Sequence, residues 1–195
     1  MAQELLGKIL LRQSGDELVA GRIVEVEAYL GESDLAAHAS AGMTARNSVL
    51  FGPAGHAYVY FTYGMYYCMN ISCEPAGKAG CVLLRALEPL AGLQSMARAR
   101  HLSLPDEPTP KTLKLLTSGP GRLCQAFHIS RAHENGKDVT SADSDLQVVD
   151  DGFRPARIAA SSRIGITRST GLKLRYYIAG NAFVSGKSVR YLNRR

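Results

Sequence analysis

Two glutamates one residue apart, Glu25 and Glu27, lead into Tyr29 within GRIVEVEAYL, and His38 follows shortly after. Carboxylates beside an aromatic ring suit displacement at a sugar carbon: one can deprotonate a water, and either can stabilise the positive charge that develops on the sugar. A second cluster, AYVYFTYGMYYCMNIS, supplies Tyr60 and Tyr63, rings with faces on which a flat ligand can stack, and the polar Asn70. Arg85 stands in the apolar run CVLLRALEPL, where a charge persists only if it is paired or aimed at an anion. These types describe a pocket for a flat aromatic ligand. Residue type alone leaves Glu25 and Glu27 interchangeable, and for Arg85 the alternative is an ion pair with an internal acid such as Glu25.

The elements that must position these groups are legible as periods. Strand alternation places Ile23, Glu25, Glu27 and Tyr29 on one face, with Val24, Val26 and Ala28 on the other. Residues 5–11 and 18–30 read as two strands about the turn Ser14-Gly15-Asp16. Ser33 reads as the cap of a short helix through His38. Residues 57–71 read as two strands joined at Tyr63-Gly64, and the aromatic at this tip either folds back onto the core or serves as a wedge for a base stack. A further strand spans residues 81–87. Helices are expected around Leu93, Met96 and Ala97, from Pro110 with Thr109 as cap, and after Ser118-Gly119-Pro120-Gly121, whose start could also hold a phosphate. Residues 131–152 read as an exposed acidic excursion, and SRIGI and LRYYI as closing strands.

At 195 residues and 46% hydrophobic content, the chain is sized for one domain, residues 1–195, and lacks the bias of a disordered or repeat protein. No apolar run is long enough to span a membrane and no leader motif opens the chain, which predicts a soluble, intracellular protein with no membrane partner. Cys68, Cys73, Cys81 and Cys124 lack metal-site spacing and read as reduced, buried thiols; no metal is expected. From residue 151 onward, Arg154, Arg157, Arg163, Arg168, Lys173, Arg175, Lys187, Arg190, Arg194 and Arg195 face one acid, Asp151, a footprint suited to a phosphate backbone.

GRIVEVEAYLGESDLAAHAS, AYVYFTYGMYYCMNIS and CVLLRALEPLAGL closely resemble the corresponding stretches of the alkyladenine (3-methyladenine) DNA glycosylase family. SGPGRLCQAF, SRIGI and LRYYIAGNAFVS follow in the same order. The resemblance implies a single α+β domain with a curved, mostly antiparallel sheet, surrounding helices and a projecting hairpin that enters the DNA minor groove. It implies a monofunctional glycosylase of base excision repair, a monomer acting on double-stranded DNA. Such an enzyme flips 3-methyladenine, 7-methylguanine, hypoxanthine or ethenoadenine from the duplex and hydrolyses the N-glycosidic bond, leaving an abasic site. Glu27 then matches the glutamate that activates water, leaving Glu25 a supporting role. Tyr29 and Tyr60, with His38 beside them, match the rings that sandwich the extruded base, and Tyr63 matches the wedge filling the gap. Asn70 matches the side chain that crowds the 2-amino group of normal guanine, and Arg85 an arginine close to the flipped nucleotide. The helix start at 119–122 and the C-terminal bases match phosphate contacts, although Arg122 stands where a lysine is expected. No lysine occurs in residues 21–71, so no amine is offered for a lyase step, and no cofactor motif is present. With no long extension before Leu5, the chain reads as a bare catalytic domain of the prokaryotic cytoplasm; a eukaryotic source would place it in the nucleus. Two rivals remain on residue types: a non-catalytic module that marks damaged DNA, and a glycoside hydrolase built on Glu25 and Glu27.

Overall fold

The structure, a computed structural model, describes residues 1–186. Its axis is the long strand β2 (Glu17–Tyr29), flanked along one edge by β5 (Cys81–Ala91). The other edge of β2 is shared by β1 (Ile9–Ser14) over its first half and β8 (Arg175–Ile178) over its second. Beyond β5 come β4 (Tyr66–Ser72) and β3 (Ala57–Thr62), while β6 (Leu146–Val149) pairs β1 and β7 (Ile158–Ser161) pairs β8. Every pairing in this eight-stranded sheet is antiparallel, and the sheet curls as a half-barrel. Three helices pack against it: α2 (Leu93–Ala99), α3 (Pro110–Thr117), which Thr109 caps by accepting the Thr112 N–H, and α4 (Pro120–Ala126). Met96, Leu116, Leu123 and Phe127 are buried there against Val24, Val26 and Leu84. The architecture is therefore α+β in one compact domain. Among the described residues no helix is long and apolar enough to cross a membrane.

Two β-bulges decide where the charges of the sheet point. Ile23 pairs Leu87 and Glu25 pairs Ala86, so Val24 has no partner; Val26 then pairs Leu84, which leaves Arg85 unpaired. An extra residue re-aims its side chain and sharpens the twist. Strict alternation is thereby broken: Ile23 joins Val24 and Val26 in the core instead of sharing a face with the glutamates. The bulged Arg85 also turns its carbonyl to the link between α3 and α4, accepting the Gly119 N–H at 3.0 Å. Gly119 holds φ +135°, a conformation that side-chain-bearing residues avoid.

Other expectations are corrected. Leu5 ends a short helix, α1 (Ala2–Leu5), instead of opening a strand. No helix is capped by Ser33: Gly31 (φ +83°) packs so closely that a Cβ would lie 1.7 Å from the Ala79 carbonyl oxygen. The chain divides instead into two 3₁₀ turns, Gly31–Ser33 and His38–Ala41. Asp34 lies between them, accepting the N–H groups of Leu30 (3.2 Å) and Ala36 (3.1 Å). The 131–152 segment is no excursion, for it contributes α5 (Arg131–Glu134), β6 and the buried Val139 and Leu146. Its Glu134 is buried against Arg12 at 3.0 Å, which composition could not reveal. SRIGI forms a loop after β7, not a strand, because Arg163 turns inward and fixes it. Cys68, Cys81 and Cys124 are buried thiols, whereas Cys73 is half-buried.

Candidate active site

Bulge, hairpin and loop meet at a cavity of about 250 Å³. Tyr29, His38, Tyr60, Tyr63, Asn70 and Arg85 all line it, although they come from β2, the 3₁₀ turn, β3, the β3–β4 tip, β4 and β5. Glu27 lies immediately behind this wall and is fully buried. Its Oε1 accepts the Ile164 N–H at 2.7 Å and meets Arg85 Nη1 at 3.1 Å, while Oε2 accepts the Tyr29 hydroxyl at 3.0 Å. Burial, then the Glu27 charge and its hydrogen bond, push the Tyr29 hydroxyl well above its usual pKa, so it remains a donor. A carboxylate oxygen has room for two hydrogen bonds. Among the described residues Oε1 accepts the Ile164 N–H and faces the Arg85 guanidinium, while Oε2 accepts one hydrogen bond and keeps one acceptor position.

Glu25 has a different environment. Arg175 Nε (2.6 Å), Arg85 Nε (3.1 Å) and the Ser185 hydroxyl (3.0 Å) surround Oε1, and the Ser185 N–H donates to Oε2 at 2.6 Å. Of these partners only Arg85 lines the cavity, whereas Tyr29, Arg85 and Ile164, the partners of Glu27, all do, so Glu25 is held as a strut. Arg85 thus unites both alternatives left by the sequence, being an ion-pair partner of Glu25 and a cavity residue at once.

The aromatic wall is ordered by polar contacts. His38 Nδ1 shares a 2.9 Å hydrogen bond with the Tyr58 hydroxyl, and its ring meets Tyr60 edge-on at 4.4 Å between centroids. Burial, with a lesser effect of Arg46, lowers the His38 pKa and favours the neutral ring. Burial also keeps the Tyr60 hydroxyl protonated. Asn70 donates from Nδ2 to the Tyr58 carbonyl (3.2 Å) and accepts from Cys81 Sγ (3.7 Å), which fixes the orientation of its amide.

At the hairpin tip, Tyr63 (φ +51°) and Gly64 (φ +68°) both adopt positive φ as the central residues of a turn that the Met65 N–H closes on the Thr62 carbonyl at 3.3 Å, within a three-residue connection from Thr62 to Tyr66. Tyr63 is 81% exposed, so it does not fold back onto the core. A bulky residue held at positive φ is unusual and expected where it has work to do.

Sequence reasoning missed three contributors: Tyr58, which steadies His38; the main-chain N–H of Ile164; and Arg163. Counted among surface bases, Arg163 is in fact buried on Asp34, and Arg175 on Glu25. Only a partner analysis could have found this, since both arginines lie far in sequence from their acids. Of the remaining basic residues, Arg168 and Lys173 are exposed, Arg154 pairs with Asp150, and Lys187, Arg190, Arg194 and Arg195 lie outside the described residues. Arg122, at the start of α4, is exposed as well.

The family model for methylpurine-DNA glycosylase matches residues 1–182. A protein of Koribacter versatilis is 56% identical over 98% of this chain and 89% of its own length. One from Chlorobium phaeobacteroides is 46% identical over 96% and 89%, and one from Alkaliphilus oremlandii 41% over 96% and 93%. All three carry the provisional name 3-methyladenine DNA glycosylase. With a family match over nearly the whole described chain and relatives this similar, the protein belongs to the methylpurine-DNA glycosylase family, enzymes of DNA repair that hydrolyse N-glycosyl bonds.

Proposed function

We propose that this chain, as one catalytic domain and a monomer, excises alkylated or deaminated purines from double-stranded DNA. The substrates are 3-methyladenine, 7-methylguanine, hypoxanthine and ethenoadenine. The observation that carries the reading is the Glu27 carboxylate held directly behind an aromatic cavity whose mouth bears the exposed Tyr63. Tyr63 enters the stack from the minor groove and occupies the gap, while the extruded base stacks against Tyr29 and Tyr60 beside His38. Each stacked base contributes roughly 1–3 kcal/mol, against an extrusion cost of a few kcal/mol that is least for a damaged pair.

Glu27 is the general base, and its free acceptor position is on Oε2. Water attacks C1′, its proton passes to Oε2, and the electron pair of the C1′–N bond leaves with the purine. The carboxylate also stabilises the oxocarbenium-like sugar, with Arg85 and the Ile164 N–H fixing its orientation. Asn70 crowds the 2-amino group of normal guanine. The exposed Arg122, Arg168 and Lys173 suit phosphate contacts. Such an enzyme works where the genome is, inside the cell, and needs neither a membrane nor a cofactor.

The test is single-turnover release of hypoxanthine from a duplex with one inosine, read as strand breakage after hot alkali, for wild type and Glu27→Gln. Release by wild type alone supports the proposal. Tight lesion binding with no release of any damaged base would make the chain a binding module, and release unchanged in Glu27→Gln would move the base elsewhere.

A further inference from the structure

Arg163 and Asp34 form a bridge that the reaction just described does not use. The guanidinium donates to both carboxylate oxygens, Nη1 to Oδ2 at 2.5 Å and Nη2 to Oδ1 at 2.8 Å, and both side chains are fully buried. Burial works against the Asp34 charge, but the donors on it, Arg163 and the N–H groups of Ala36 and Leu30, hold its carboxyl below the usual range. A buried pair is weak evidence of stability, since desolvation offsets much of its attraction, so its placement calls for another account.

That placement joins three separate parts of the candidate site. Asp34 holds the ends of the turn that leads to His38 through the Leu30 and Ala36 N–H groups. Arg163 Nη1 donates also to the Ala28 carbonyl at 3.0 Å, between Glu27 and Tyr29, and the guanidinium lies 4.5 Å from the centroid of the Tyr29 ring. The next residue in the chain, Ile164, donates its N–H to Glu27 Oε1. One side chain therefore fixes the loop that supplies a hydrogen bond to Glu27 and rests against the ring that hydrogen-bonds the other oxygen. Lysine has no planar fork for this double contact.

We propose that Arg163, locked by Asp34, is a positioning residue for base excision, holding the Ile164 N–H and the Tyr29 ring in register with Glu27. This rests on Glu27 being the general base. The bridge makes no contact with substrate; it acts through Ile164 and Tyr29. Misplacement of a reacting group by about 1 Å can cost on the order of 10²-fold in rate.

The experiment compares wild type, Arg163→Lys, and the paired Asp34→Asn with Arg163→Gln, which leaves no charge unpaired and so guards against a variant that fails to fold. Glu27→Gln is the control. Single-turnover hypoxanthine release is measured at saturating enzyme, beside affinity for a duplex carrying a tetrahydrofuran abasic analogue, which has no base to stack on Tyr29. Release about 10²-fold slower in both Arg163 variants, with abasic-analogue affinity within about threefold of wild type, is the expected result. Rates near wild type in both variants, with Glu27→Gln inactive, would overturn the positioning role and leave the general base in place. Parallel loss of rate and of abasic-analogue affinity would also overturn it, reducing the bridge to a support of the DNA-binding face. An active Glu27→Gln would instead refute the reading on which the proposal rests.

Discussion

Glu25 and Glu27 share one guanidinium, for Arg85 reaches Glu25 through Nε and Glu27 through Nη1, each at 3.1 Å. The remaining partners set the two acids apart. Glu27→Gln leaves Arg85 its pair with Glu25, so the fold is expected to persist while single-turnover excision drops by roughly 10²–10⁴-fold. Glu25→Gln removes the charge facing both Arg85 and Arg175 in a dry interior, where breaking such a pair costs about 3–5 kcal/mol. Thermal melts beside excision rates check this division: a Glu25→Gln protein that melts normally yet is inactive would reverse the assignment.

Tyr29 has two separable functions in this arrangement, a ring facing the cavity and a hydroxyl donating to Glu27 Oε2 at 3.0 Å. A hydrogen bond to a charged group contributes about 1.5–3 kcal/mol. Tyr29→Phe is therefore expected to slow excision by roughly 10–100-fold while retaining lesion affinity, and Tyr29→Ala to lose both. Gel-shift titration with a duplex containing ethenoadenine, beside single-turnover rates, distinguishes these outcomes; equal affinity losses in Phe and Ala would contradict the separation.

How much of this was legible depends on the range of the forces involved. Local signals worked: Tyr63-Gly64 at a hairpin tip, Thr109 and Pro110 opening a helix, and the alternation that sets Glu25, Glu27 and Tyr29 on one face. What failed was non-local. The bulges at Val24 and Arg85 arise from pairing between distant strands, so alternation misplaced Ile23. Likewise, a basic C-terminal stretch reads as a surface until Asp34 and Glu25 are seen to hold Arg163 and Arg175 inside. Charge counting measures composition, and burial is decided by partners more than a hundred residues away in the chain.

Asn70 is clamped by the Tyr58 carbonyl and Cys81 Sγ, so its amide cannot swing from the cavity without losing both contacts. If it excludes guanine by crowding the 2-amino group, Asn70→Ala is expected to release undamaged guanine at least about tenfold faster relative to hypoxanthine, the scale of discrimination by a few atoms in a pocket. Competition between guanine and hypoxanthine duplexes in one reaction gives the ratio directly. An unchanged ratio would remove Asn70 from the selectivity account.

His38 carries a pH signature. Burial first, and Arg46 second, depress its pKa from the ordinary 6.5, so the unfolded chain binds a proton there more readily than the folded one. Stability then falls as pH drops below about 6.5 and through the lower folded value, since the unfolded state gains the proton. Wild type is expected to lose more melting temperature between pH 7.5 and pH 5.5 than His38→Asn, which has no group titrating there. Identical losses in the two proteins would place the pH dependence on other groups.

Tyr63 lends itself to the cleanest separation of fold from function, because at 81% exposure it contributes little to the core. Tyr63→Ser is expected to melt within about a degree of wild type, as surface substitutions stay within roughly 0.5 kcal/mol. Loss of one stacking contact, roughly 1–3 kcal/mol, corresponds to about 5–150-fold weaker capture of the flipped state. Fluorescence of 2-aminopurine beside the lesion reports extrusion, and the excision rate at saturation, once the base is captured, should change far less. A Tyr63→Ser protein that extrudes the base as well as wild type would show that the tip is no wedge, and would transfer that role to the exposed Met65 beyond Gly64.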